Sequence, residues 1–142
     1  MEKKIVQVQE RTQQLIRQLL NVWESSVRAE IIKIREYVPM AIENVEYLII
    51  AEKEFGEPVA FMGIDSNRLE MLFLSPEVRG KGLGKQLLQY GIETYNIQEL
   101  TVNEQNPQAV GFYEHMGFQT YKRTEYDEEG NPYPLLYMRL SR

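Results

Sequence analysis

Apolar residues recur along this chain with two periods, and the changes of period divide it into elements. Leu15, Ile16, Leu19, Leu20, Trp23 and Val27 fall three and four apart, which predicts a first helix of about four turns. Ile31, Ile34 and Val38 predict a second helix stopped at Pro39, since proline has no N–H to donate and crowds the preceding turn. Before these helices, Ile5 to Val8 reads as a short strand; after them, Tyr47 to Ala51 is a continuous apolar strand. The Glu54-Phe55-Gly56-Glu57-Pro58 turn leads to a strand at Val59 to Ile64, and Ser66-Asn67 turns into another at Arg68 to Leu74. Helical spacing returns at Leu83, Leu87, Leu88, Ile92 and Tyr95, followed by a strand at Leu100 to Asn103 and a short helix. A final hairpin joins Gln119–Tyr126 to Leu135–Leu140 through Asp127-Glu128-Glu129-Gly130-Asn131-Pro132. Strand, helix and strand from Arg68 to Asn103 predict parallel neighbours joined by a right-handed crossover.

This order predicts an α/β (α+β) fold. At 142 residues it forms a single domain, 1–142, with one substantial core. There is no cysteine, which excludes disulfides, thiolate metal sites and cysteine nucleophiles. No metal is expected. A net charge of −5 argues against generic nucleic-acid binding, which needs a basic field. No apolar run approaches a membrane span and no signal-peptide core follows Met1, so a cytoplasmic location is expected.

Against that acidic background one loop is basic. Leu72-Phe73-Leu74-Ser75-Pro76-Glu77-Val78 runs into Arg79-Gly80-Lys81-Gly82-Leu83-Gly84-Lys85, and the loop opens a helix. Glycine lets a backbone approach a ligand, and a helix N-terminus offers unpaired N–H groups and a positive dipole end. Together these suit phosphate or pyrophosphate. The Walker phosphate loop is excluded, because Arg79 and Gln86 occupy the places of its first glycine and its hydroxyl residue. The dinucleotide fingerprint is excluded because Gly80, Gly82 and Gly84 read G-x-G-x-G. A glycine-rich turn with solvated cations is the bland alternative.

What fits is Arg-x-x-Gly-x-Gly at Arg79, Gly82 and Gly84, and a second segment lies downstream. It reads Asn106-Pro107-Gln108-Ala109-Val110-Gly111-Phe112-Tyr113-Glu114-His115-Met116-Gly117-Phe118. Locally, Asn106 suits a helix N-cap, Pro107 the first helical position, and Gly117 the left-handed residue past the end. In order and spacing the two segments resemble the motifs of the GNAT family, the Gcn5-related N-acetyltransferases, over roughly residues 45–140. The resemblance implies a mixed, twisted sheet of about six to seven strands flanked by four helices, splayed between strands 69–74 and 100–103. It implies acetyl-coenzyme A as co-substrate, seated in the splay.

By the same resemblance, Leu72, Phe73 and Leu74 would hold the pantetheine arm and acetyl carbonyl through their backbone. Arg79, Gly80, Lys81, Gly82, Leu83, Gly84 and Lys85 would hold the pyrophosphate, and Asn106, Ala109, Phe112 and Tyr113 would line the other side. Tyr113 matches the tyrosine many members use as general acid toward the departing sulfur; the alternative is that it only packs beside Ala109 and Met116. Glu70 is the candidate general base, with a surface-facing strand glutamate as the equal alternative. His115 lies two residues past Tyr113 and is read as a solvated residue on another face of the helix.

The acceptor wall would come from Trp23, Ser26, Arg28 and Tyr37 and from Tyr121, Glu125, Asp127, Tyr133 and Tyr137. Val27-Arg28-Ala29 resembles a Val-Arg-Ala motif of small bacterial members of the family, but where those usually continue with a Thr-His-x-Phe-Leu stretch, this chain runs directly to Glu30-Ile31-Ile32. The acidic Asp127-Glu128-Glu129 run would attract a cationic amine, or serve only for solubility. The expected activity is acetyl transfer to an unidentified primary amine, by a monomer or homodimer. A non-catalytic acyl-coenzyme A binder or sensor would keep the glycine loop but have no need of Tyr113.

Overall fold

The computed structural model describes residues 3–26 and 32–141. Val27, Arg28, Ile31 and the junction after Ala29 lie outside the described residues, as do the side chains of Ser26, Ile34 and Tyr37. The strands are β1 (Lys4–Gln7), β2 (Tyr47–Glu52), β3 (Pro58–Asp65), β4 (Arg68–Leu74), β5 (Glu99–Asn103), β6 (Phe118–Thr124) and β7 (Leu135–Leu140). They form one seven-stranded mixed sheet in the order β1-β2-β3-β4-β5-β7-β6. The helices are α1 (Gln13–Ser26), α2 (Ile32–Asn44), α3 (Leu83–Tyr95) and α4 (Pro107–His115), and they flank the sheet.

Two cores lie on opposite faces of the sheet. Ile16, Leu19, Val22 and Trp23 of α1 and Val38 and Ile42 of α2 bury one face with Leu48, Phe61 and Met71. Leu83, Leu87, Leu88 and Ile92 of α3 bury the other with Met62, Leu69, Leu100, Phe118 and Met138. Trp23 therefore belongs to the core, 5% exposed, and does not form the wall of an acceptor site. It falls on the apolar stripe that α1 must turn to the sheet.

The second helix does not stop at Pro39; it continues to Asn44 with the proline inside. An interior proline costs about 3 kcal/mol. Burying Ile42 and Val45 at 0% and 4% exposure offsets this, since each such side chain contributes roughly 1.5–3 kcal/mol. The far end is then capped from another segment: the Arg11 guanidinium donates to the carbonyls of Ile42, Glu43 and Glu46 at 3.2, 2.9 and 3.1 Å. The final hairpin is shorter than its apolar pattern suggests, because the Thr124 hydroxyl donates to the Tyr126 carbonyl at 2.8 Å and ends β6 at Thr124.

The feature that positions the site is the join between β4 and β5. They run parallel, with α3 between them in sequence, and pair only at Arg68↔Glu99 and Leu69↔Leu100. Beyond Leu69 they part. On its other edge β4 stays paired to β3 as far as Leu74, with a register shift that leaves Glu70 between Leu69 (opposite Ile64) and Met71 (opposite Gly63). Such a one-residue bulge bends a strand and increases its twist, here where the strands separate.

Candidate active site

The groove opened by this splay has a volume of about 640 Å³. One wall is the end of β4, Leu72 to Leu74, followed by Arg79, Gly80, Gly82, Gly84 and Lys85 of the glycine loop. The other is α4, through Asn106, Ala109, Phe112 and Tyr113. The two motifs, separated by twenty residues of helix and strand, thus meet across one cleft. Leu72 and Leu74 pack on the α3-side core, whereas the Phe73 ring turns to the opposite core, 5.5 Å from Phe61. That leaves the main chain of Phe73 as the part offered to the groove.

The loop is shaped by backbone conformation. A short 3-10 turn at Pro76–Val78 carries the chain away from β4, and Gly80 and Gly82 follow with φ of +74° and +83°. Only glycine adopts that region without steric cost. Gly82 is the N-cap of α3 and, having no side chain, offers no oxygen to accept the N–H groups of the first turn. Its N–H groups and the positive dipole end are thus available at the groove. Gly84 lies on the floor, where a Cβ would meet Phe112 Cζ at 3.6 Å and Leu74 Cδ2 at 3.7 Å. For two loop residues the side chain lies away from the groove: that of Leu83 is 4% exposed in the core, and Lys81 is exposed and does not line the groove. Only their main chains can take part.

Across the groove, the Asn106 Oδ1 accepts the Ala109 N–H at 3.2 Å, so Asn106 is the N-cap and Pro107 opens the helix. Gly117 follows the helix end at φ +101°. This fixes Tyr113, whose ring stands edge-on to Phe112 and Phe118 at 5.3 and 6.1 Å. Burial pushes its pKa up to about 12, with no charged neighbour contributing. The phenol therefore stays protonated, a donor, across the neutral range. Gln108, Met116 and His115 also border the groove. His115 is exposed as expected but does not point away from the cleft, because the groove wraps round the last turn of α4. Counting residues from Tyr113 alone does not show that.

Glu70 lies elsewhere, on the sheet face opposite the α3 core. Its carboxylate pairs with Arg68 at 3.3 Å, and the Arg68 guanidinium stands 5.7 Å from the Tyr137 ring centre. Burial raises the Glu70 pKa; Arg68 lowers it and Asp65 and Glu128 raise it, leaving it above the ordinary carboxylate value. Tyr137 is the ladder partner of Thr101 on β5, and Thr101 Oγ1 is buried without a hydrogen-bond partner among the described residues. Tyr121 lies on this face too, under the Arg139 guanidinium at 3.8 Å, while Arg139 donates to Glu99 at 3.0 Å. Asp127 is occupied within its own turn, accepting from the N–H groups of Glu129 and Asn131 at 3.0 and 2.8 Å. Tyr133 is exposed. Glu125 is exposed as well. No group of three or more His, Asp or Glu placed to hold a metal occurs among the described residues, and no helix among them is long and apolar enough to cross a membrane.

The family model described as an acetyltransferase (GNAT) domain matches residues 7–140. The chain belongs to the GNAT family. Among curated relatives, the peptidyl-lysine N-acetyltransferase YjaB of Salmonella typhimurium is 45% identical over 89 residues, covering 63% of this chain and 61% of that protein. Its Escherichia coli counterpart is 40% identical over 103 residues, 72% of this chain and 67% of that one. The solution structure of apo-form YjaB from Escherichia coli superimposes with a TM-score of 0.82 at 29% identity, covering 98% of this chain and 97% of that chain.

Proposed function

We propose that this protein is an N-acetyltransferase that moves an acetyl group from acetyl-coenzyme A to a primary amine within a ternary complex. The acceptor we infer is the side-chain amine of a protein lysine, the substrate named for both YjaB relatives. One observation carries the reading: the glycine loop and the Asn106-to-Tyr113 segment, distant in sequence, line the two walls of one groove at a splayed strand pair.

The residues present suit coenzyme A. Arg79 and Lys85, with the backbone N–H groups from Gly80 to Lys85, would hold the pyrophosphate. The main chain of Leu72 to Leu74 has left the ladder with β5 and needs polar partners, which the amides of pantetheine provide. Asn106, Ala109 and Phe112 would line the opposite side. When bound, coenzyme A supplies an acetyl thioester activated toward nitrogen. A main-chain N–H near Phe73 or Leu74 donates to the acetyl oxygen. Tyr113 acts as general acid, its hydroxyl donating toward sulfur. Glu70, with a pKa above the usual carboxylate range, accepts the proton of the incoming ammonium group.

The test is acetylation of a lysine peptide and a panel of small amines, followed by mass spectrometry. Tyr113→Phe is expected to lower kcat by about 100-fold or more while coenzyme A affinity in calorimetry stays within about twofold. Undiminished coenzyme A binding with no amine acetylated by the wild type would overturn the catalytic reading and leave a non-catalytic binder.

A further inference from the structure

Thr101 presents an unexplained polar atom. Its Oγ1 is the buried side-chain oxygen that finds no hydrogen-bond partner among the described residues. A buried hydroxyl left unmatched is costly, and native proteins keep few of them. Its position in the sheet is specific. The last ladder pair before the splay is Leu69↔Leu100, so the next residues on the two strands are Glu70 and Thr101. Leu69, Leu100 and Val102 all pack in the α3-side core. Side chains alternate along a strand, which turns Thr101 to the opposite face. Glu70 is on that face too, since its carboxylate meets Arg68 at 3.3 Å and Arg68 lies over the ring of Tyr137, the ladder partner of Thr101. Three strands thus bring an acid, an unmatched hydroxyl and a phenol ring to the vertex of the splay. The vertex lies where β4 and β5 begin to part, the same parting that opens the groove between the end of β4 and α4.

We propose that the Thr101 hydroxyl positions the acceptor amine: its oxygen accepts one N–H of the incoming ammonium group and turns a second N–H toward the Glu70 carboxylate. This rests on the acetyltransferase reading and adds the group that orients the acceptor. The step balances as one proton transfer: the ammonium N–H bond breaks, the Glu70 carboxylate becomes a carboxylic acid, and the neutral amine keeps the electron pair that attacks. Tyr137 walls the position, and Arg68 holds Glu70 on the near side. The charged and titratable groups facing Glu70 are Arg68 on its own strand, Asp65 at the end of β3, Glu128 in the hairpin turn and Tyr137 on β7.

The experiment compares Thr101→Val and Thr101→Ser with the wild type, using a lysine peptide as acceptor. Valine keeps the volume and removes the unmatched hydroxyl, so its Tm should equal or exceed that of the wild type. Its kcat/KM for the peptide should fall roughly 10- to 100-fold, the loss expected for one hydrogen bond to a charged group. The KM for acetyl-coenzyme A should not move. Serine should restore kcat/KM to within about threefold of the wild type, as expected when the hydroxyl itself is what counts. Full activity in Thr101→Val overturns the proposal. So does an equal loss in both variants, or a loss confined to acetyl-coenzyme A. A wild type that acetylates no amine sinks the acetyltransferase reading itself, which separates the two failures.

Discussion

The two sides of the splayed strands are made of different material. On the groove side the shape comes from main chain: two glycines at positive φ, the uncapped start of α3, and a β4 edge that has left its ladder. On the opposite side it comes from side chains that neutralise one another, with Arg68 on Glu70, Arg139 on Glu99, and both guanidiniums over tyrosine rings. A surface built from backbone recognises what every member of a family shares. A surface built from side chains can be rewritten one residue at a time. The groove is therefore where this chain should be like its relatives, and the paired-charge face is where it should differ.

Substitutions at three positions sharpen that division. The largest effect is expected from Gly82→Asp. Aspartate is one of the few residues that enter the left-handed region, at a cost of roughly 1–2 kcal/mol, so the fold should persist with slightly lowered stability. The new carboxylate occupies the anion's place, and two like charges at close range justify roughly a 100-fold loss of coenzyme A affinity by calorimetry. Unchanged affinity would break the assignment of the loop. A smaller effect, roughly tenfold, is expected from Gly84→Val, whose methyls enter the space between Phe112 and Leu74. Gly84→Ala should be near neutral, because its Cβ contacts of 3.6 and 3.7 Å are ordinary ones. The smallest is Arg68→Gln, on the other face. Arg68 lowers the Glu70 pKa, so its removal raises it further. More of the base is then protonated at a given pH, and the acid limb of kcat/KM should move to higher pH with coenzyme A affinity unchanged. A limb moving to lower pH would exclude Glu70 as the base.

The same division explains what could be read from the sequence. Positive φ demands glycine, and an N-cap followed by proline demands its own residue types, so the loop at Gly80 to Gly84 and the helix after Asn106 were legible as local strings. The order of strands and the parallel pair around α3 followed from apolar periods. Of the paired-charge face, Glu70, Tyr121 and Tyr137 were legible as candidates, but the pairings among its charges were not. Arg68, Glu99, Thr101, Tyr121, Tyr137 and Arg139 meet only after four strands are assembled, and no short string contains them. Trp23 misled because its type suits a binding wall, while its spacing with Ile16 and Leu19 places it in the core. Pro39 misled because a stop rule that holds for an isolated helix yields to the burial of Ile42 and Val45. His115 was placed by helix geometry alone, whereas the groove curves around the end of its helix.

Glu70 has a second identity besides that of an acid: it is an insertion. Because it stands unpaired between Leu69 and Met71, one strand serves two cores, Leu69 facing α3 and Met71 facing α1. Pairing this residue regularly, with the bulge lost, would exchange the two sides of everything beyond it: Leu72 and Leu74 would turn toward α1 and the Phe73 ring toward the groove. Deleting it would leave every one of those side chains on its present face. The candidate base and the frame of the strand are encoded at one position. Removing the residue takes away the bulge and the acid together, while a change of residue type there is only a change of chemistry.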